Sequence, residues 1–303
     1  MPTNKGSIRL FRIFGIDVYL HWSWFLILLY VIQTSGGGKS ALTLSIIWLL
    51  TLFVIVLLHE FGHALACKQT GGQANQIVLW PLGGVAYVAP PQRPGAQLWS
   101  IAAGPLVNVI LFIAATAILM VGGISGLSDQ WPMFWDYISI VAYINLILLK
   151  FNLLPIFPLD GGQILRSLLW FKFGKARSMM ISAIIGFIGI AALIPWVIAQ
   201  NRNWYYILAA FIAFNCWNGF QHARNLMKVA KLPRRPGFAC PSCHTAPPLG
   251  ELWRCGKCAK PFDTFATQAQ CPHCGTQYNA TQCLDCGTSR PIGEWITSPP
   301  QNN

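Results

Sequence analysis

Long runs of apolar residues, each with few charges, dominate the first two thirds of the 303-residue chain. Runs of this length are typical of helices that cross the hydrocarbon core of a bilayer. They predict an α-helical polytopic membrane protein with about six spans, the first of which is short enough to be tilted or partly interfacial. The predicted spans cover residues 17–34, 42–66, 97–121, 134–157, 178–199 and 204–220.

One loop between predicted spans has a different pattern. Residues 77–88 are rich in β-forming side chains and are broken by Pro81 and by the Gly83-Gly84 pair, which predicts a short hairpin or re-entrant strand. An edge strand at this place could hold an unwound peptide by strand addition. It could also serve only as a structural cap on the membrane domain.

The pattern changes at about Leu232, where proline, glycine, cysteine and polar residues replace the apolar runs. We therefore divide the chain into a membrane domain (1–231), a linker (232–238), a small domain (239–290) and a flexible tail (291–303). The small domain contains four C-x-x-C pairs. Each pair supplies two thiolates from one tight turn, and two pairs complete a tetrahedral zinc site. The pairs are Cys240 with Cys243, Cys255 with Cys258, Cys271 with Cys274, and Cys283 with Cys286.

These pairs predict tandem zinc ribbons that hold two structural zinc ions. Redox C-x-x-C chemistry and other metals are the alternatives, and a reducing cytosolic location favours zinc over disulfides. The pairing of the four motifs, sequential or interleaved, is left open by their spacing. Modules of this size need their metal to fold. Their partners are usually proteins or nucleic acid, so either could bind the small domain.

Composition and charge support a membrane location, since 54% of the residues are hydrophobic and only 10% are charged, against about 25% in ordinary soluble domains. By the positive-inside rule, both termini are predicted to be cytosolic, and we expect the inner (plasma) membrane of a prokaryote. The net charge of +12 mainly reflects this topology and the lipid surface, and only weakly suggests nucleic acid. The basic residues of the cytosolic side are Lys5, Arg9, Arg12, Lys68, Arg93, Arg166, Lys172, Lys175, Arg177, Arg224, Lys228, Lys231, Arg234 and Arg235; Lys39 and Arg202 lie on the other side.

Candidate chemistry appears at the end of the second predicted span, in the sequence His59-Glu60-Phe61-Gly62-His63. On a helix the two histidines share a face, so both imidazoles can reach one zinc ion while Glu60 lies beside it. Such a glutamate can take a proton from the water that zinc activates. Ionisable groups in a hydrocarbon segment cost about 2.5 to 3.5 kcal/mol each near its centre, so a functional role is the default interpretation.

A catalytic zinc ion normally has three protein ligands and one open position. Acidic residues are scarce within the predicted spans, and Asp160 is the outstanding candidate for the third ligand. The second and fourth spans run in the same direction, so His59, His63 and Asp160 can meet at one depth. Pro155 and Pro158 interrupt the helix before Asp160, as happens in membranes where backbone lines a cavity or is buried in protein.

Taken together, these features resemble the site-2 protease family of intramembrane zinc metalloproteases. The resemblance covers roughly residues 8–220 and rests on three motifs that agree with the family in type, order and membrane side. The motifs are His59-Glu60-Phe61-Gly62-His63, Gly104-Pro105-Leu106-Val107-Asn108, and the stretch from Asn152 to Gly161, which matches N-x-x-P-x-x-P-L-D-G.

The resemblance implies hydrolysis of peptide bonds within or near the spans of membrane proteins, with one catalytic zinc ion. It implies that His59, His63 and Asp160 bind this zinc, that Glu60 is the base, and that Asn152 lies near the reacting centre. The implied substrates are single-span membrane proteins whose helix unwinds locally before cleavage. The CBS or PDZ domains common in the family are not evident in this sequence, and the cysteine-rich domain takes their place.

Three other polar residues are weaker candidates. Asn152 could steady an oxyanion or make a structural hydrogen bond, and Asn108 could join the active-site cluster or only link two helices. His21 lies in an aromatic segment that an interfacial belt explains, although it could also line the site.

Two further functions are compatible with the sequence: a membrane-tethered zinc-ribbon adaptor with an inactive protease core, and a zinc transporter. The intact ligand set and the presence of Glu60 argue against both. Zinc content separates the first alternative, because a protease with two ribbons predicts three zinc ions per chain and an adaptor without the membrane site predicts two.

Overall fold

The computed structural model describes residues 6–34, 39–80, 83–200 and 203–297. Lys5, Pro81, Arg202 and residues 298–303, which enter the sequence predictions, lie outside these ranges. Within them the chain forms a helical domain with a small sheet, followed by a small domain with short strands. The helices are α1 (Trp24–Thr34), α2 (Lys39–Gln69), α3 (Pro94–Ser125), α4 (Pro132–Asn152), α5 (Asp160–Gln200) and α6 (Asn203–Ala230).

Four helices are long and apolar enough to cross a membrane, namely α2, α3, α4 and α5. Many of their large apolar side chains point outward, as lipid-facing surfaces do. The prediction of a span over 17–34 differs from the structure, because α1 has only 11 residues and the preceding residues belong to a strand. The predicted span at 204–220 lies within α6, which is not among the four. The fourth helix also ends at Asn152, so Asp160 opens the next helix instead of closing this one.

Helix α5 consists of two arms that fold back on each other. A Cβ built on Gly162, in the first arm, would lie 2.5 Å from the Phe157 nitrogen, and one built on Gly189, in the second arm, would lie 2.7 Å from Ile156 Cγ1. A straight helix would separate these two glycines by about 40 Å. The chain therefore reverses at Gly174, whose φ of 75° and ψ of 169° are not helical. The arms are residues 160–173 and 175–200.

The membrane domain carries a four-stranded sheet in the order β1 (Ser7–Ile13), β2 (Ile16–His21), β3 (Gln73–Trp80) and β4 (Gly83–Ala89). The central pair is parallel and the outer pairs are antiparallel. The predicted β structure at 77–88 is confirmed by β3 and β4. One face of the sheet packs on α2 through a shared core, which fixes β4 against the helix that bears the two histidines; this core includes Ile16, Val18, Val56, Ala64, Cys67, Ile77 and Leu79.

Helices α2 and α3 approach each other closely at Gly62. A Cβ on Gly62 would lie 2.6 Å from the Ala103 carbonyl oxygen and 2.9 Å from Val107 Cγ2, so a larger residue cannot fit without moving α3. Small residues at such contacts let helix backbones approach within a membrane. The contact places α3 directly over the histidine face of α2.

The small domain is organised around an aromatic and cysteine core. Four two-residue strands pair as β5 (Trp253–Arg254) with β6 (Pro261–Phe262) and β7 (Thr281–Gln282) with β8 (Ser289–Arg290). The core contains Trp253, Phe262, Phe265, Trp295 and five of the cysteines.

The ends of the small domain depart from the predicted linker and flexible tail. Trp295 is completely buried, and its carbonyl accepts a hydrogen bond from Ala239 N–H. The linker residues Pro233 and Arg235 hydrogen-bond through their backbones to Leu249 and Pro247. Residues 233–238 and 292–297 are therefore part of the folded domain, because Trp295 contributes to its core and both segments hydrogen-bond to it.

We expect Gly62→Ala to destabilise the membrane domain by about 1 to 3 kcal/mol, because the new methyl group would overpack the contact between α2 and α3. Thermal unfolding of the purified chain in detergent measures this effect. Gly123→Ala on α3 is the matched control, since a Cβ there meets no atom within 4 Å. An equal melting temperature for wild type and Gly62→Ala would contradict the close contact.

Candidate active site and metal centres

His59, His63 and Asp160 converge inside the helical domain. His59 Nε2 lies 3.0 Å from His63 Nε2 and 3.1 Å from Asp160 Oδ2, and His63 Nε2 lies 3.5 Å from the same oxygen. The two histidines are 5% and 9% exposed. The first arm of α5 thus brings Asp160 to the two imidazoles, which stand one helical turn apart on α2.

Hydrogen bonds at the outer nitrogens show which nitrogen of each ring faces the centre. His59 Nδ1 lies 3.1 Å from Asn108 Oδ1, and His63 Nδ1 lies 2.9 Å from the Ser100 carbonyl oxygen. Both partners are acceptors, so each Nδ1 carries the proton and each Nε2 presents a lone pair. Two lone pairs and a carboxylate oxygen facing one another need a cation between them. The donor set fits zinc, which is bound by neutral imidazole and carboxylate.

Glu60 lies beside this centre and is held by the sheet. Its carboxylate accepts a hydrogen bond from Ala86 N–H on β4, with Oε2 at 2.8 Å from the nitrogen, and the residue is only 6% exposed. No hydrogen bond to Oε1 occurs in the described part of the chain. The second oxygen is therefore available to exchange a proton with a group at the metal centre.

Helix α3 supplies contacts that the sequence analysis did not identify. The Ser100 carbonyl orients His63, and the Ser100 hydroxyl donates to the His63 carbonyl at 3.3 Å. Gly104 faces the two imidazoles so closely that a Cβ there would lie 2.8 Å from His59 Nε2. Gly104 and Asn108 are one helical turn apart, and this spacing could have predicted that their face of α3 lies against the metal site. A contact through a backbone carbonyl, such as that of Ser100, leaves no pattern in the sequence.

The three weaker candidates fall in different places. Asn108 is fully buried and orients His59, while its Nδ2 has no partner among the described residues. Asn152 is the last residue of α4 and is partly buried. His21 ends β2, where its Nδ1 lies 2.5 Å from Ser23 Oγ and its ring lies against Trp22. The structure therefore brings Asn108 to the centre and gives His21 a place in the turn before α1.

In the small domain the four cysteine pairs form two clusters, and the pairing is nested. The first C-x-x-C joins the fourth and the second joins the third. The closest sulfur pairs of the clusters are 3.5 to 3.8 Å apart, which matches the edge of about 3.8 Å expected for a tetrahedron with zinc–sulfur bonds of about 2.3 Å. The outer cluster is Cys240, Cys243, Cys283 and Cys286, and the inner cluster is Cys255, Cys258, Cys271 and Cys274.

All four C-x-x-C turns share one backbone pattern. The N–H of the first cysteine donates to the carbonyl five residues later, and its carbonyl accepts from the N–H four residues later. The residue four positions after the first cysteine has a positive φ in every turn, between 57° and 75°. This position is glycine in two turns only; the four residues are His244, Ala259, Gly275 and Gly287.

Hydrogen bonds prepare one thiol of the inner cluster for a metal. The Tyr278 hydroxyl donates to Cys255 Sγ at 3.0 Å, and this bond, with N–H groups of the turn, lowers the pKa of Cys255 to about 5. A thiolate is the form that binds zinc. The environment of Cys255 therefore favours metal binding at neutral pH.

Comparisons with known proteins find relatives that are named as zinc metalloproteases. Residues 47–129 and 120–195 match the model of peptidase family M50. A zinc metalloprotease of Methanocaldococcus jannaschii is 39% identical over 59% of this chain and 50% of its own length. A Synechocystis protein also named as a zinc metalloprotease is 31% identical over 66% of this chain and 59% of its own. The solved structure of a site-2 protease from M. jannaschii covers 71% of this chain and 95% of its own, at 29% identity and a TM-score of 0.49. The chain thus spans about half the length of the curated relatives it matches.

We expect Asn108→Leu to weaken zinc binding in the membrane domain about 10- to 100-fold, because His59 loses the acceptor that fixes its tautomer. Asn108→Asp restores an acceptor and should retain the metal. Native mass spectrometry of the full chain against increasing chelator counts the zinc ions that remain. Asn145→Leu is the control, since Asn145 is equally buried and donates a hydrogen bond to Val141 of its own helix. Equal zinc retention by Asn108→Leu and wild type would remove Asn108 from the site.

Ala259→Gly should stabilise the small domain by about 0.5 to 1 kcal/mol, because glycine adopts a positive φ without steric cost. Thermal unfolding of the zinc-loaded chain, followed by tryptophan fluorescence of the small domain, measures the gain. Ala266→Gly, at an exposed position without a positive φ, should not stabilise it. A lower melting temperature for Ala259→Gly would contradict the strained turn.

Proposed function

The chain belongs to peptidase family M50, and from this premise we propose that it is a zinc metalloprotease that cuts membrane proteins within or next to their spanning segments. The observation that supports this most directly is the convergence of His59, His63 and Asp160 at 3.0 to 3.5 Å, with Glu60 beside them. A metal site without a neighbouring base would be suited to storing the metal or to stabilising the fold. Three ligands and a buried glutamate suit hydrolysis.

In this proposal His59 and His63, through Nε2, and Asp160, through Oδ2, would hold the catalytic zinc. When bound there, the ion would supply Lewis-acid chemistry, which lowers the pKa of water and polarises a peptide carbonyl. Asn108 and the Ser100 carbonyl keep the imidazoles in the tautomer that binds metal. Burial of the site in the helix bundle excludes bulk water and strengthens these interactions.

Glu60 is the general base and then the general acid. The Ala86 N–H holds its Oε2, so Oε1 would accept the proton of the attacking water and return it to the nitrogen of the leaving amine. Asn152, at the end of α4, is assigned to the carbonyl oxygen of the substrate. Its position near Asp160 in the chain supports this role.

Strand β4 is the proposed binding site for the substrate. It is an edge strand, and the carboxylate of Glu60 bonds to its backbone at Ala86. An unwound segment that pairs with the open side of β4 would extend the sheet and run beside the base. Such pairing accounts for the need to unwind a helical substrate, whose carbonyls are otherwise hydrogen-bonded.

We further propose that the end of the bundle with the α5 reversal faces the cytosol. Lys68 and Arg93 lie at this end, with Lys172, Lys175 and Arg177 at the reversal, in agreement with the positive-inside rule. Both termini then lie in the cytosol. The membrane in this proposal is the inner membrane of a prokaryote. Substrates would be single-span membrane proteins, and the small domain, with two structural zinc ions, would meet a protein or nucleic-acid partner there.

The direct test replaces Glu60 by Gln. Glu60→Gln should keep three zinc ions per chain, because Glu60 is not a ligand, but should lower cleavage at least about 100-fold, because it removes the base. Membrane proteomes of cells that express wild type or Glu60→Gln are compared for accumulated single-span stubs.

Glu251→Gln makes the same chemical change at an exposed position of the small domain and should behave as wild type. If the stubs are equally abundant with wild type and Glu60→Gln, the proposed hydrolysis is refuted. Two zinc ions per chain in the wild type would instead favour an adaptor without a membrane metal site.

A further inference from the structure

The small domain rests on the tip of the α5 hairpin. Lys175, the first residue after the reversal, places Nζ 3.3 Å from the Asp285 carbonyl oxygen. Just before α3, the side chain of Gln92 lies against Gly287, at 3.2 Å from the position of a Cβ there. Both contacts fall on the same turn, residues 283–288, which carries Cys283 and Cys286 of the outer cysteine cluster.

The peptide that accepts the hydrogen bond from Lys175 leads directly into the outer cluster. Its carbonyl belongs to Asp285 and its nitrogen to Cys286, one of the four cysteines of that cluster. The Lys175 ammonium group therefore contacts the residue next to a sulfur ligand.

Basic side chains outnumber acidic ones around this contact. A cavity of about 400 Å³ between the two domains is lined by Arg93, Lys175 and Arg177, together with Cys243, Asp285 and Cys286 of the small domain. The carboxylate of Asp285 is already paired with Arg234, at 2.7 and 3.3 Å. Among the described residues that line the cavity, Asp285 is the one acid, so the three cations of the helical domain face the outer cluster and a carboxylate that is already paired.

Zinc changes the charge of that cluster. Zn²⁺ bound by four thiolates carries a net charge of −2, which is more negative than the metal-free cluster once its thiols take up protons. The attraction between the hairpin tip and the outer cluster is therefore strongest when zinc is bound and weakens when zinc leaves.

We propose that the outer cysteine cluster is a zinc-dependent latch, which holds the small domain on the α5 hairpin while zinc is bound and releases it when zinc is removed. Zinc binding and docking are linked, so each must strengthen the other by the same factor. The hairpin tip joins the second arm, where Lys175 lies, to the first arm, which begins at Asp160, and this gives the zinc state of the small domain a path to the membrane metal centre. Regulation of cleavage by this path rests on the proposed function, whereas the latch itself does not.

The test is hydrogen–deuterium exchange of the full chain in detergent micelles during titration with a zinc chelator. In wild type, backbone protection at the hairpin tip (171–177) and at the outer turn (283–288) should fall at the same chelator concentration. Lys175→Met keeps the apolar stem but removes the charge. It should expose the tip even with zinc present and shift loss of the outer turn to about two- to fivefold lower chelator concentration, with the inner turn (255–260) unchanged.

Lys172→Met is the matched control, because Lys172 lies in the same tip, over the Phe173 ring, and does not line the cavity; it should titrate as wild type. The titration is repeated with His59→Ala, which removes a ligand of the membrane site, and the same joint loss is expected. The latch is refuted if Lys175→Met titrates as wild type, if it weakens both cysteine clusters equally, or if the tip stays protected after the outer zinc is lost. Loss of the joint response in His59→Ala would refute it as well, by assigning that response to the membrane centre.

Discussion

The structure depends on a repulsive arrangement inside a helical bundle: two imidazole lone pairs and one carboxylate oxygen face each other within 3.5 Å. Without a cation the three donors would repel each other, so the fold must force them together. Close contact between α2 and α3 at Gly62 and Gly104 sets the depth of the histidines. Hydrogen bonds to Asn108 and Ser100 then fix the direction of both rings.

The sheet contributes to the same centre from the neighbouring face of α2, which carries Glu60. Its buried face packs on that helix, which leaves β4 at a fixed height beside Glu60. The bond from Ala86 N–H to the Glu60 carboxylate means that one backbone group serves both the sheet edge and the acid. Movement of β4 would therefore change the position of the base as well as that of any strand paired with it.

The sequence predicted those parts of the site that local spacing determines. His59, Glu60 and His63 form one helical motif, and Asp160 was found because acids are rare in apolar spans. Strand β2 was missed, although Ile16, Val18 and Leu20 alternate with polar residues, because it runs into an apolar segment and was read as the start of the first span. Strand β1, which precedes that span, received no prediction. Nothing in the spacing of the cysteines distinguishes nested from sequential pairing, since both give two complete sets of four. That choice is made by tertiary packing around Trp295 and its neighbours.

Nested pairing has a consequence for biosynthesis. The inner cluster is complete once Cys274 has left the ribosome, whereas the outer cluster waits for Cys286, although its first cysteine is made before all the others. Cys240 and Cys243 thus remain as unpaired thiols while the whole inner site is being synthesised and can fill with metal. The order of translation therefore sets the order in which the two clusters can bind metal. The contact between the outer cluster and the α5 hairpin can form only when translation is nearly complete.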